Sequence, residues 1–124
     1  MTKIIMVIDD SATMLMCLKN SLEIGGFSVI TAADGVLALE KLQTGPKPDL
    51  IITDINMPNM GGIEFISHAR KLPGFRFIPI LALTTESQQA KRDEAKKLGA
   101  TGWLVKPVGA ADLMKIIKQV LPGA

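Results

Sequence analysis

Five side chains that could bind a metal ion or a phosphoryl group stand at the ends of apolar runs in the sequence. Three are the carboxylates of Asp9, Asp10 and Asp54, and the others are the hydroxyl of Thr84 and the ammonium of Lys106. The apolar runs are typical of buried strands in a parallel sheet. Because ligands of open α/β sheets bind at the carboxyl edge, we expect these five groups to meet in one crevice.

Three carboxylates in one crevice repel one another, and each close pair costs about 4 kcal/mol at an effective dielectric constant of about 20. One lysine cannot offset this repulsion, whereas a divalent cation can, and an oxygen-lined site suits Mg²⁺ or Mn²⁺. A carboxylate such as Asp54 can also act as a nucleophile and form an aspartyl-phosphate. A metal ion, Lys106 and Thr84 would then stabilise charge on the phosphoryl oxygens.

Each of these residues also has an ordinary structural interpretation. Asp9 and Asp10 could cap a helix, Asp54 could begin a turn, Thr84 could be a loop hydroxyl and Lys106 could be a solvated surface charge. These interpretations are hard to keep together, because all five positions fall at the same predicted edge of the sheet. The joint pattern therefore favours a site.

The elements that must position these groups alternate between strand and helix. Strands are predicted at residues 4–8, 27–32, 50–53, 78–83 and 102–105, and helical patterns lie between and after them. Five such repeats predict an α/β fold with a five-stranded parallel sheet, covered on both faces and joined by right-handed crossovers. If Asp9, Asp10 and Asp54 meet, the first and third strands are neighbours. The order is then 2-1-3-4-5, that of a flavodoxin-like (βα)5 three-layer sandwich.

Composition limits the class of protein. The 124 residues, 48% of them apolar, fit one domain spanning residues 1–124, and we expect no attached output domain. A net charge of +2 implies neither a nucleic-acid partner nor a membrane surface. The single cysteine, Cys17, excludes an internal disulfide and fits the cytoplasm; we expect it to be a small packing residue. The single histidine, His68, is expected at the surface.

The motifs and their spacing resemble the receiver domain of two-component response regulators, and more narrowly a single-domain, CheY-like chemotaxis regulator. The segments DDSATM, TDINMPNMGG, ALTTES and VKP carry the resemblance, which covers essentially the whole chain. Asp54 follows Asp10 by 44 residues, Thr84 follows Asp54 by 30, and Lys106 follows Thr84 by 22.

The resemblance implies a chemical role for each acidic residue of the site. Asp54 is the expected phospho-acceptor. Asp9 and Asp10 are expected to hold Mg²⁺, directly or through water, together with Asp54 and the backbone carbonyl of Asn56. Lys106 is expected to pair with the phosphoryl oxygens.

The resemblance also implies a conformational switch. Thr84 is expected to bond to the phosphoryl group and move toward it, while Trp103 changes between exposed and buried rotamers. Asn56 and Glu86 occupy positions that tune dephosphorylation in the family. The Lys106–Pro107 peptide bond is expected to be cis.

Four positions depart from the family pattern. Gly61 stands where an acidic residue is usual, and Trp103 replaces a tyrosine or phenylalanine. Val108 replaces a common phenylalanine, and Leu15 stands where some motor-binding relatives have a basic residue.

The predicted function is a phosphorylation-controlled signalling switch, in chemotaxis, and not an enzyme beyond its own phosphorylation and dephosphorylation. A histidine kinase would donate the phosphoryl group to Asp54. The surface of the fourth helix, fifth strand and fifth helix would then change its affinity for a downstream protein, such as a flagellar motor switch. We expect a monomer.

Three alternatives share parts of this pattern. A phosphatase of the haloacid-dehalogenase type also uses a strand-end aspartate, but it needs an acid two residues later, where this chain has Asn56. A nucleotide or flavin carrier needs a phosphate-binding loop after the first strand, where Asp9 and Asp10 would repel phosphate. A receiver that acts as a phosphate sink or phosphorelay component would have the same fold and site.

Overall fold

The computed structural model describes residues 2–121, in which strands and helices alternate. The elements in chain order are β1 (Ile4–Ile8), α1 (Ala12–Ile24), β2 (Ser28–Ala32), α2 (Gly35–Thr44), β3 (Leu50–Thr53), α3 (Gly62–Lys71), β4 (Ile80–Thr84), α4 (Gln89–Leu98), β5 (Gly102–Val105) and α5 (Ala110–Val120).

The five strands form one parallel sheet in the order β2-β1-β3-β4-β5, which confirms the predicted fold class and strand order. In the register of the central pair, Ile8 lies beside Thr53. Asp9 follows Ile8 and Asp54 follows Thr53, so the two aspartates lie side by side at the carboxyl edge of the sheet.

Alternate residues of the strands pack into two apolar layers, one on each face of the sheet. Met6 and Ile8 of β1 join the layer that contains Phe65 of α3, whereas Ile5 and Val7 join the layer that contains Ile117 of α5. Both faces are thus covered by helices, as buried parallel strands require. Leu15 and Val108, two of the positions that depart from the family pattern, pack against the second layer.

Two strands differ from the sequence prediction: β2 spans Ser28–Ala32 rather than residues 27–32, and β4 spans Ile80–Thr84 rather than residues 78–83. β4 begins at Ile80 rather than residue 78, because Pro79 has no N–H to donate to the ladder and contributes only its carbonyl, which accepts from Ile51. α4 begins at Gln89, because the Glu86 carboxylate accepts from the Gln88 N–H at 3.2 Å and holds the preceding segment as a loop.

Local hydrogen bonds fix the ends of the helices. The Ser11 hydroxyl accepts from Met14 N at 3.2 Å and caps α1, while the Asp34 carboxylate accepts from Leu37 N at 2.9 Å and caps α2. Gly99 ends α4 with a φ of 114°, in the left-handed region that favours glycine.

The prediction that Cys17 is a packing residue is wrong, because its side chain is exposed. Leu15, Leu18 and Leu22 face the sheet from α1. Cys17 follows Leu15 by two positions, which rotates it by about 200° around the helix, so it faces away from the core. His68 is exposed, as expected, and lies 3.8 Å from Glu64.

The Arg70 guanidinium of α3 binds three backbone carbonyls. It donates to the carbonyl of Gly99 at 3.0 Å from Nε and 2.6 Å from Nη2. It also donates from Nη1 to Phe75 at 2.9 Å and to Ile78 at 2.5 Å. Burial lowers the pKa of Arg70 from its usual value, but not enough to remove the charge. Arg70 thus joins α3, the loop before β4 and the end of α4.

Among residues 2–121, no helix is both long enough and apolar enough to cross a membrane.

Candidate functional site

The carboxyl ends of β1 and β3 bring the acidic residues together. Asp54 N donates to the Ile8 carbonyl at 2.8 Å, and Asp9 N donates to the Ala32 carbonyl at 3.2 Å. These bonds continue the sheet ladder by one residue, so both aspartates are held by the backbone of the sheet. Oxygen atoms of Asp9, Asp10 and Asp54 all lie within 4.8 Å of one another.

The three carboxylates differ in their contact with solvent. Asp9 is 2% exposed, the side chain of Asp54 is 12% exposed, and Asp10 is exposed. This gradient forms a pocket with a buried floor and an open rim. The donor set consists of oxygen atoms only, which matches the preference of a hard divalent cation such as Mg²⁺ or Mn²⁺. The cluster therefore fits the metal that the sequence predicts.

Lys106 contributes the one cation found in direct contact with this cluster within the described residues. Its Nζ lies 2.7 Å from Asp9 Oδ2 and 3.5 Å from Asp54 Oδ2. Burial, the largest influence, lowers the pKa of Lys106. The hydrogen bond to Asp9 and the charges of Asp54 and Asp9 outweigh it, so the pKa lies above its usual value. Lys106 therefore stays charged, yet three carboxylates and one ammonium leave a net negative pocket.

Backbone N–H groups orient two of the carboxylates. Ile55 N donates to Asp54 Oδ1 at 2.6 Å, and Ser11 N donates to Asp9 Oδ1 at 2.9 Å. Because Lys106 contacts the Oδ2 atom of each, both Asp9 and Asp54 have one oxygen bonded to the backbone and the other directed toward the ammonium. This arrangement fixes the rotation of both groups.

Thr84 lies at the same edge of the sheet, as the last residue of β4, and is completely buried. Its Oγ1 accepts from Glu86 N at 3.1 Å, and its carbonyl accepts from Lys106 N at 2.7 Å. Since a hydroxyl both donates and accepts, the accepted bond leaves its proton available for another acceptor. Thr84 is thereby linked through the backbone to both Glu86 and Lys106.

The Glu86 side chain makes three contacts at the rim of the pocket. It lies 3.4 Å from Asn56 Nδ2, 3.4 Å from Lys91 Nζ, and accepts from Gln88 N. The Gln88 bond, the largest cause, together with Asn56 and Lys91, lowers the pKa of Glu86 below its usual value. Lys91 was not expected here, since a lysine five residues beyond Glu86 in a polar helix gives no signal in the sequence.

The Trp103 side chain is partly buried and contacts the backbone of Glu86. Its Nε1 donates to the Glu86 backbone carbonyl at 3.1 Å. The same indole lines a cavity of about 310 Å³ together with residues of α4, among them Arg92 and Lys96. The indole therefore connects the loop after β4 to the surface formed by α4 and β5.

The loop after Asp54 is held by close backbone approaches. A Cβ on Gly62 would lie 2.0 Å from the Asp54 carbonyl oxygen, so only glycine fits there. Asn59 has a φ of 66° and donates to Asp34 Oδ2 at 2.9 Å, which ties this loop to the start of α2. Gly61 directly precedes α3, and no side chain caps this helix.

The structure thus brings Asp9, Asp10, Asp54 and Lys106 into direct proximity, and places Thr84 beside them on β4. Asn56 is exposed, and its amide contacts Glu86 rather than the carboxylates. The Lys106–Pro107 peptide bond is cis.

Comparison with known proteins agrees with this geometry. The family model described as response regulator receiver domain matches residues 5–118. The chain is 37% identical over 118 residues to chemotaxis protein CheY1 of Helicobacter pylori, covering 94% of this chain and 95% of that protein. It superimposes on chemotaxis protein CheY4 of Vibrio cholerae with a TM-score of 0.92 at 42% identity, covering 98% of this chain and 100% of the other. The Mn²⁺-bound form of response regulator Rcp1 gives a TM-score of 0.82 at 25% identity, covering 98% and 96%.

This chain belongs to the response regulator receiver domain family. Within it, the chain is similar over nearly its whole length to single-domain chemotaxis regulators of the CheY type.

Proposed function

We propose that the chain is a cytoplasmic phosphorylation switch in which Asp54 accepts a phosphoryl group from a histidine kinase. A carboxylate oxygen of Asp54 attacks phosphorus, so a P–O bond forms as the P–N bond of the phosphohistidine breaks, and the imidazole leaves. The observation that carries this proposal is the position of Lys106 Nζ, 2.7 Å from Asp9 and 3.5 Å from Asp54. The ammonium is charged and already aimed at the oxygen atoms around the acceptor.

Asp9, Asp10 and Asp54, with the backbone carbonyl of Asn56, would hold Mg²⁺ or Mn²⁺. When bound, the cation supplies positive charge that reduces carboxylate repulsion and stabilises the phosphoryl oxygens. The buried floor and exposed rim of the pocket support this assignment, because the rim leaves room for water and for the phosphoryl donor.

The switch would begin at Thr84. Phosphorylation adds acceptor oxygens beside Asp54, and the Thr84 hydroxyl proton can bond to one of them. Because Thr84 accepts from Glu86 N, a shift of its hydroxyl displaces Glu86, and Trp103 bonds to the Glu86 carbonyl. The indole then repacks, and the surface of α4, β5 and α5 changes its affinity for a downstream protein.

Similarity to CheY1 and CheY4 supports a role in chemotaxis, with a flagellar motor switch as the candidate target. We propose that the chain acts as a monomer and that Asn56 and Glu86 set the rate of dephosphorylation. Their side chains lie at the rim of the pocket, where water would approach the phosphoryl group.

The fluorescence of Trp103, the only tryptophan, tests the proposal directly. We would add Mg²⁺ and then either beryllofluoride or acetyl phosphate, and record the emission of the protein and of the Asp54→Ala variant. The expected result is a Mg²⁺-dependent change that the variant lacks, with mass spectrometry after acetyl phosphate showing one added phosphoryl group.

The possible failures separate the steps of the mechanism. An unmodified Asp54 and unchanged fluorescence would contradict the phosphorylation chemistry. Modification of Asp54 without a change in emission would keep the chemistry and refute the role of Trp103.

A further inference from the structure

The edge of the sheet opposite Asp54 carries an open cavity of about 610 Å³. Its walls come from the segments that precede β3 and β4, together with the turn after α3. The lining residues are Lys47, Pro48, Asp49, Arg76, Phe77 and Ile78, with Gly74 and Pro79 at the margin. A volume of this size accommodates one or two large side chains of a partner.

The wall of this cavity presents an aromatic ring to solvent. Phe77 is 88% exposed, whereas Phe27, Phe65 and Phe75 are each at most 8% exposed. The Arg76 guanidinium lies 5.6 Å from the centre of the Phe77 ring. This cation–π contact places a positive charge beside the exposed apolar ring.

The charge of the cavity is positive. Lys47 lies 5.6 Å over the ring of the buried Phe75, and within residues 2–121 neither Lys47 nor Arg76 forms a salt bridge. The one carboxylate of the lining, Asp49, accepts from Ile4 N at 2.8 Å and keeps its negative charge, so the lining carries two cations and one anion. Two unpaired cations and an exposed ring complement a ligand that is both acidic and apolar.

We propose that this cavity binds an acidic peptide segment of a partner protein, with an aromatic or large aliphatic side chain of that segment seated against Phe77. The cations attract the acidic residues and speed association, while the apolar contact supplies most of the binding free energy. The cavity lies at the opposite edge of the sheet from Asp54, so this docking does not depend on phosphorylation. Its failure in experiment would leave the proposed switch untouched.

The probe is a fluorescein-labelled nonapeptide with one central phenylalanine and four acidic residues on each side, measured by anisotropy on the whole protein. We expect saturable binding that weakens at least tenfold in Phe77→Ser and in Arg76→Glu. Two matched controls have their changes on α1: Ile24→Ser removes an apolar side chain that is also 88% exposed, and Lys19→Glu reverses an exposed charge. Both controls should bind within twofold of the unmodified protein.

Comparator probes distinguish the possible occupants. Replacing the central phenylalanine by serine, or the acidic residues by their amides, should weaken binding at least tenfold. No binding, or equal loss in the Ile24→Ser control, would overturn the proposal. Tighter binding of a labelled single-stranded oligonucleotide than of the peptide would overturn it in favour of nucleic acid. Self-association that Phe77→Ser abolishes, without peptide binding, would overturn it in favour of a second copy.

Discussion

The indole nitrogen of Trp103 donates a hydrogen bond to the backbone carbonyl of Glu86 at 3.1 Å, and so ties β5 to the loop that follows β4. The same loop is also held by the hydrogen bond that Glu86 N donates to the Thr84 hydroxyl. A single residue therefore links the buried threonine at the pocket to the aromatic side chain at the surface.

Acidification should loosen this link through the Glu86 side chain. Since the pKa of Glu86 is lowered in the folded protein, the stabilisation it gives is complete above the usual value of 4.5 and disappears as the pH falls through the lower folded-state pKa. We expect the Trp103 emission to change as the pH falls below 4.5, and this component to be absent in Glu86→Gln. An identical titration in that variant would show that other carboxylates control the indole.

Removal of the Lys106 charge should destabilise the folded protein, because the carboxylates of the pocket then repel one another without a compensating cation. We expect Lys106→Met to lower the free energy of unfolding by about 2 kcal/mol in EDTA, because Asp9 is then buried without its cation. Mg²⁺ should restore more stability to this variant than to the unmodified protein. Because the pKa of Lys106 is raised, the difference should persist up to its usual value of 10.5 and decline above the folded-state pKa. Urea unfolding measures all three effects, and an equal gain from Mg²⁺ in both proteins would contradict the argument.

Neutralising Asp10 should have the opposite effect on stability. Asp10→Asn removes a like charge at the exposed rim, so we expect the free energy of unfolding without metal to rise by about 1 kcal/mol, solvent screening having reduced the full repulsion. The affinity for Mg²⁺, measured by titration of Trp103 emission, should fall at least tenfold. Glu94→Gln, which neutralises an exposed residue of α4, is the matched control and should change neither quantity. Unchanged Mg²⁺ affinity in Asp10→Asn would exclude this residue from the metal site.

The loop after Asp54 should tolerate substitution unequally at its two adjacent glycines. Gly62→Ala places a Cβ 2.0 Å from the Asp54 carbonyl oxygen, which forces the backbone to move, and we expect a loss of about 3 kcal/mol or more in unfolding free energy. Gly61→Ala meets the Ile55 carbonyl oxygen at 2.9 Å and should cost about 1 kcal/mol. Equal losses in urea unfolding would mean that the loop relaxes around either methyl group.

The sequence was sufficient to predict the strands that carry the pocket. The apolar runs of β3 and β5 end where predicted, and the strand order followed from requiring Asp9 and Asp54 to meet. The start of β4 was misplaced, because an apolar run does not reveal where ladder bonding begins. The contact between Asn59 and Asp34 joins residues 25 positions apart through a left-handed backbone conformation, and no periodicity encodes it.

The carbonyl contacts of Arg70 have a mechanical consequence for α4. Arg70 fastens the carboxyl end of this helix at Gly99 through two hydrogen bonds, whereas the amino end is held by the Glu86 loop and has no side-chain cap. Because Arg70 bonds directly to the Gly99 carbonyl and no side chain caps the amino end, we expect displacement of α4 to be larger near Gln89 than near Gly99. Arg70 then holds the carboxyl end of α4 in place while the amino end moves. Arg70→Lys, which weakens this attachment, should increase hydrogen exchange at both ends of the helix and weaken the proposed transmission from Asp54 to the surface.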